Sequence, residues 1–244
     1  SYMMKAKKAD LFIRIGLDLE IGYESLILEG SRNRKIQIGR SGHLDASAGI
    51  ERLEVIEVVD RSMGDVHPYG NPHYWLDPMN AKIIASNIKV RLAELSPEDE
   101  PYFQENLSRF HEQIDKKMEE WTRQLAPYQQ KKIATYHRSW IYFTERFGFD
   151  IACELEPKPG VPPSPGHLKH VIDVVKRDNV DIILNENFYA SKAARFVSGE
   201  IGAQVVILPI SVGGEQGATD YLTLMDTIVK KIIQGFADAE AHRI

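Results

Sequence analysis

From Ser96 to Pro127 the sequence contains no glycine, and its apolar residues fall at Tyr102, Phe103, Leu107, Phe110, Ile114, Met118, Trp121 and Leu125. Steps of three and four dominate, the period of a single buried stripe on an α-helix. Ser96-Pro97 supplies a start, Glu98 and Asp99 suit the positive end of the helix dipole, and Pro127 supplies a stop. The reading is one helix of about seven turns. It lies between two blocks of mixed strand and helix, so it reads as a connecting rod.

The block before it, residues 1–95, alternates short apolar runs with helical ones. "ADLFIRIG" is strand-like, "LDLEIGYESLILEGS" mostly helical, and "RKIQIG" and "LEVIEVV" are further strand candidates. Asp77-Pro78 pairs a good N-cap with the proline favoured at the first helical position, ahead of "MNAKIIASNIKVRLAEL". The block after the rod, residues 128–244, alternates more cleanly. "KKIATY" is a strand and "RSWIYFTERFG" a helix ended by Gly148. Ser164-Pro165 opens a further helix, and "VDIILNE" and "QVVILPI" are strands around the helix "ASKAARFVSGEIG". Strand–helix–strand repeats of this length imply right-handed crossovers and a parallel sheet. The expected architecture is α/β, with two lobes of parallel sheet flanked by helices and joined by residues 96–127.

Composition closes off several function classes. A net charge of −5 is a poor match to a nucleic-acid surface, and the short basic groups read as solvated helix faces. A single cysteine, Cys153, excludes an internal disulfide and a cysteine-rich metal site. No apolar run approaches the ~18 residues that span a bilayer. The opening "SYMMKAKKADLFIRIG" reads like the middle of a domain, so a segment upstream is expected in the natural chain.

Three residues could carry chemistry. His137 follows the strand "KKIATY", and Glu186 ends the strand "VDIILNE". Ligands of open parallel sheets bind at the carboxyl ends of strands, so both belong to one rim. His73, in "GNPHYWLDP", lies just before the Asp77 cap. Two imidazoles and a carboxylate suit a transition metal, zinc above all. A histidine beside aromatics serves as well as a hydrogen-bonded structural residue, and Glu186 as well as a helix cap. The spacing leaves both readings open. His43, His111 and His242 read as surface residues, as does the His167/His170 pair on one helix face.

The stretch Asn71-Pro72-His73-Tyr74-Trp75-Leu76-Asp77-Pro78, the long polar helix, and His137-Arg138-Ser139-Trp140-Ile141-Tyr142-Phe143 occur in that order. Together they resemble the zinc/manganese (cluster A-I) substrate-binding proteins of bacterial ABC transporters. The corresponding family stretches are "DPHxWLDP" and "HxAFxYFxxxYG". "ADLFIRIGLDLE" and "DYLTLMDTIVKKI" resemble further family segments, so the likeness covers nearly the whole chain. It implies two lobes on one rigid helix, with a single Zn²⁺, less readily Mn²⁺, in the inter-lobe cleft. His73 and His137 match two family metal histidines. The family's first histidine would lie upstream of "ADL". Its final carboxylate is replaced by "SVGGEQG", which leaves Glu186, then Glu215 or Asp220, to supply the carboxylate.

The resemblance also implies a non-enzymatic zinc receptor. It would be periplasmic or anchored to the outer face of the membrane, a monomer, delivering its ion to an ABC permease. Two other readings compete: a zinc hydrolase with Glu186 as general base, and an adhesion protein stabilised by metal.

Overall fold

The structure is a computed structural model of the chain and describes residues 2–56, 64 and 67–242. They divide into two compact units, residues 2–56 with 67–115, and residues 116–242 with Gly64. Both are α/β, with parallel strands flanked by helices.

The first unit runs α1 (Tyr2–Ala6), β1 (Phe12–Arg14), α2 (Glu24–Ser31), β2 (His43–Asp45) and α3 (Pro78–Leu95), and then the start of α4 (Glu100–Leu125). Strands β1 and β2 pair in parallel, with Phe12 opposite His43 and Arg14 opposite Asp45. Two expectations fail here. "RKIQIG" is not a strand; it holds a 3-10 turn, Arg34–Ile36. The Asn33 side chain accepts from the Lys35 amide at 3.0 Å and donates to the carbonyls of Ala6 and Ala9, a local solution that competes with a ladder. In "LEVIEVV", residues 53–56 form no strand and 57–59 lie outside the described residues. The strand that does pair with β1 is the three-residue β2, too short to show a period.

Around β1 and β2 runs a partly buried ion network. Arg14 reaches Asp45 at 2.7 Å and Glu24 at 3.0 Å, and Glu24 also meets His43 Nε2 at 2.7 Å. His43 is therefore buried, and its reading as a surface residue is corrected: it stacks on Phe12 and pairs with a carboxylate. Gly16 turns the chain with φ +86° hard against the Asp45 carboxylate, where any Cβ would collide.

Helix α3 starts as expected. The Asp77 side chain accepts from the Met79 amide at 2.9 Å, and Pro78 takes the first position. Ser96 ends α3, Pro97–Asp99 make a 3-10 turn, and α4 runs 26 residues with both Ile114 and Trp121 fully buried.

The second unit continues with β3 (Lys132–Thr135), α5 (Ile141–Phe147), β4 (Asp150–Glu154), α6 (Pro165–Arg177), β5 (Ile182–Glu186), α7 (Lys192–Ile201), β6 (Gln204–Leu208) and α8 (Tyr221–Ala241). Its four strands are all parallel, in the order β4-β3-β5-β6. The chain thus moves outward from β3 to β4, then crosses to the other side of β3 for β5 and β6. That reversal puts a topological switch point between β3 and β5, the place where open α/β sheets take ligands. Alternation along the strands sends Ala134 and Ile183 to a core with Val171, Val175 and Val197 from α6 and α7. Cys153 lies half-buried on β4, and burial pushes its thiol up to about 11.

Candidate metal site

The second unit carries two of the three candidate residues. His137 sits two residues past the end of β3, and main-chain bonds extend the sheet to reach it. The Tyr136 amide donates to the Leu184 carbonyl at 2.7 Å, and the Glu156 amide to the Tyr136 carbonyl at 3.0 Å. These bonds bring Glu156, two residues past β4, beside His137. Its Oε2 lies 2.6 Å from His137 Nδ1, and Glu156 is only 6% exposed. A carboxylate at that distance accepts the Nδ1 proton, so the neutral ring keeps its lone pair on Nε2. Tyr189 packs against the ring at 5.6 Å.

Glu186 is the last residue of β5, at the same carboxyl edge of the sheet as His137 and across the switch point from it. It does not cap α7, whose N-cap is Ser191, and it is fully buried. Its Oε1 accepts from the Trp140 indole at 3.1 Å. Its Oε2 and the equally buried Ser139 hydroxyl complete no hydrogen bond of good geometry. Burial pushes the Glu186 carboxyl above the usual range. Its own backbone amide, Ser139, His137 and Trp140 pull the other way without offsetting it. An orphaned, buried carboxyl oxygen within the field of a histidine is a donor that a divalent cation would complete.

A test of that burial follows. A carboxyl whose folded pKa is raised binds its proton more tightly folded than unfolded. Below its unfolded pKa, ~4.3, it adds no penalty; as pH rises through the folded pKa, the buried charge costs stability. Glu186→Gln is therefore expected to raise the melting temperature of metal-free protein at pH 7 by about 2 °C or more. The gain should vanish near pH 4. An equal gain at both pH values would refute the argument.

The third residue, His73, belongs to the first unit and is fixed there by its own contacts. It precedes a 3-10 turn, Tyr74–Leu76, and is 8% exposed. Tyr74 is fully buried and its hydroxyl donates to the Ile15 carbonyl at 2.5 Å, tying the turn to the end of β1. Asn80 donates to the Tyr74 carbonyl at 3.0 Å. The Asn71 side chain faces His73 with its oxygen, 2.9 Å from Nδ1 and 3.0 Å from the His73 amide, while its Nδ2 donates to Glu54 Oε2 at 2.8 Å. A carbonyl oxygen can only accept, so Nδ1 carries the proton and Nε2 again holds the lone pair.

Two alternatives to Glu186 are committed elsewhere. Glu215 pairs with Lys231, and Asp220 caps α8 through a reciprocal capping box with Thr223. His111 is half-buried, its Nε2 3.2 Å from the Lys82 carbonyl, and not a surface residue as expected. His242 is exposed, as is His170, while His167 is half-buried. Among the described residues of either unit, no three His, Cys, Asp or Glu side chains are gathered for a metal. Glu156 escaped the sequence reading because β4 did. Recognised as a strand, "DIACE" would have put a carboxylate on the rim of His137.

The family model described as "Zinc-uptake complex component A periplasmic" (ZnuA) matches residues 1–235. The iron-binding protein YfeA of Yersinia pestis is 27% identical over 240 residues, 96% of this chain and 72% of that protein. The high-affinity zinc uptake system protein ZnuA of Brucella abortus is 26% identical over 161 residues, 66% of this chain. That match spans about half of the Brucella protein, 48% of its length. The manganese ABC transporter substrate-binding lipoprotein PsaA of Streptococcus pneumoniae is 24% identical, over 95% of this chain and 74% of its own. A crystal structure of ZnuA superposes with a TM-score of 0.77 at 26% identity, covering 96% of this chain and 82% of the other.

Proposed function

Because this chain belongs to the ZnuA family of periplasmic metal-binding substrate-binding proteins, we propose that it is an extracytoplasmic receptor that captures one zinc ion and passes it to an ABC permease. In this reading it acts as a monomer and turns over no substrate. Proteins of this family work in the periplasm or anchored by lipid. Among the described residues, no helix is long and apolar enough to cross a membrane.

The observation that carries the reading is the shared presentation of two histidines. His73 and His137 each have Nδ1 engaged by an oxygen acceptor, which leaves Nε2 as the ligating atom of a neutral ring. Glu186, with its orphaned oxygen, is the carboxylate of the set, and Glu156 orients His137 without ligating.

Zinc is the proposed cargo because imidazole nitrogen suits it better than manganese, which takes more carboxylate oxygen. Relatives named for iron and for manganese make the choice of metal one to measure. Metal-stripped protein titrated against a chromophoric chelator is expected to bind one zinc per chain, more tightly than Mn²⁺ or Fe²⁺. Ligating imidazole must be neutral, so zinc affinity should fall as pH drops below ~6.5. Tighter manganese than zinc would reassign the cargo. No stoichiometric binding of any of the three would end the receptor reading.

A further inference from the structure

The two imidazoles are presented alike but backed unlike. Behind His137 stands a carboxylate at 2.6 Å. Behind His73 stands a neutral amide oxygen at 2.9 Å, and the nearest carboxylate on that path, Glu54, is held one hydrogen bond further back at 2.8 Å from the amide nitrogen. Hydrogen bonds to an ionised acceptor are shorter and roughly twice as strong as neutral ones, and they raise the basicity of a ligating ring.

The relay is built firmly. Asn71 is 7% exposed, and its oxygen accepts from both the ring and the backbone of His73. Its own amide donates to the Leu53 carbonyl at 2.8 Å, and the Ile56 amide to the Pro68 carbonyl at 3.1 Å, so the segment bearing Glu54 is bonded to the segment bearing Asn71. Glu54 adopts φ +56°, a conformation that costs a non-glycine residue energy and is kept where surroundings impose it.

We propose that Asn71, with Glu54 held behind it, is a positioning residue that makes His73 the weaker imidazole donor and so sets the rate at which the metal leaves. The inference rests on the receptor reading above and deepens it. A receptor must release its ion as well as hold it, and an arm backed by a neutral amide gives way before one backed by a carboxylate.

The test moves the carboxylate one residue closer without changing the net charge: Glu54→Gln combined with Asn71→Asp. Zinc release into excess chelator, followed by stopped flow, is expected to slow about tenfold, the scale of outer-shell effects on metal sites. Asn71→Leu should speed it by a similar factor. Long-range ¹H–¹⁵N spectra of the metal-free protein should show His73 protonated at Nδ1 in the wild type and the exchanged pair, and a tautomer mixture in Asn71→Leu. A release rate within about twofold of wild type in both proteins would overturn the proposal, whatever the tautomers. Should the exchanged pair fail to fold, Asn71→Asp alone and Asn71→Leu carry the same comparison. His73→Ala separates the two levels. If it leaves zinc affinity unchanged, the ligand assignment itself falls; if it weakens zinc while the other variants do nothing, only the role of Asn71 falls.

Discussion

His137→Ala is expected to weaken zinc binding at least about a hundredfold, and Glu156→Gln by about tenfold. The alanine removes a donor atom from a set that holds few, and zinc sites rely on three or four protein ligands. The glutamine leaves an acceptor for Nδ1 and takes away only its charge, now 2.6 Å from the ring. His73→Ala should match His137→Ala in direction. Competition titration on metal-free protein reads all three, with circular dichroism as the control for folding. Equal losses for His137→Ala and Glu156→Gln would make the carboxylate a ligand in its own right. No loss for either would return His137 to the role of a buried structural residue.

Trp140→Ala is expected to give the largest loss of stability, about 3–5 kcal/mol. Trp140 is fully buried, lies edge-on to Phe143 at 5.9 Å, and donates its indole N–H to Glu186. Alanine would leave a cavity and also strip Glu186 of its one geometrically good side-chain donor. Trp140→Phe keeps most of the ring and loses the N–H, so its cost should be about 1–3 kcal/mol. Urea unfolding of metal-free protein followed at residues of the second unit measures both. If the phenylalanine variant were as damaged as the alanine variant, the hydrogen bond would outweigh the packing. If it matched wild type, Glu186 would need no donor.

The second unit was legible in the sequence where its elements were long enough to show a period. Ser164-Pro165, Gly148 and Gly202 mark helix ends that the structure keeps, with the last two in the left-handed conformation. The first unit was less legible. β2 is three residues long, and Asn33 diverts "RKIQIG" into a turn by side-chain bonds that no hydrophobic pattern encodes. The same limit applied to the candidate site. His137 and Glu186 stood out as candidates because one follows and the other ends a strand that declares itself. Glu156 and the Glu54–Asn71 pair make contacts of 19 and 17 residues' separation, which only folding brings together. His43 misled for the same reason: its partner Glu24 is 19 residues away in the chain.

Cys153 has a practical consequence. With its thiol pushed up to about 11, roughly one molecule in ten thousand carries the reactive thiolate at pH 7. The only sulfhydryl of the chain is thus slow toward oxidants and alkylating dyes alike, without being removed. A cysteine introduced at Phe188 would take the dye first. Phe188 is 63% exposed and packs at a tilt against Tyr189, which in turn packs against His137. The wild-type background can therefore carry a fluorophore two side chains from the imidazole, and metal capture can be followed as light.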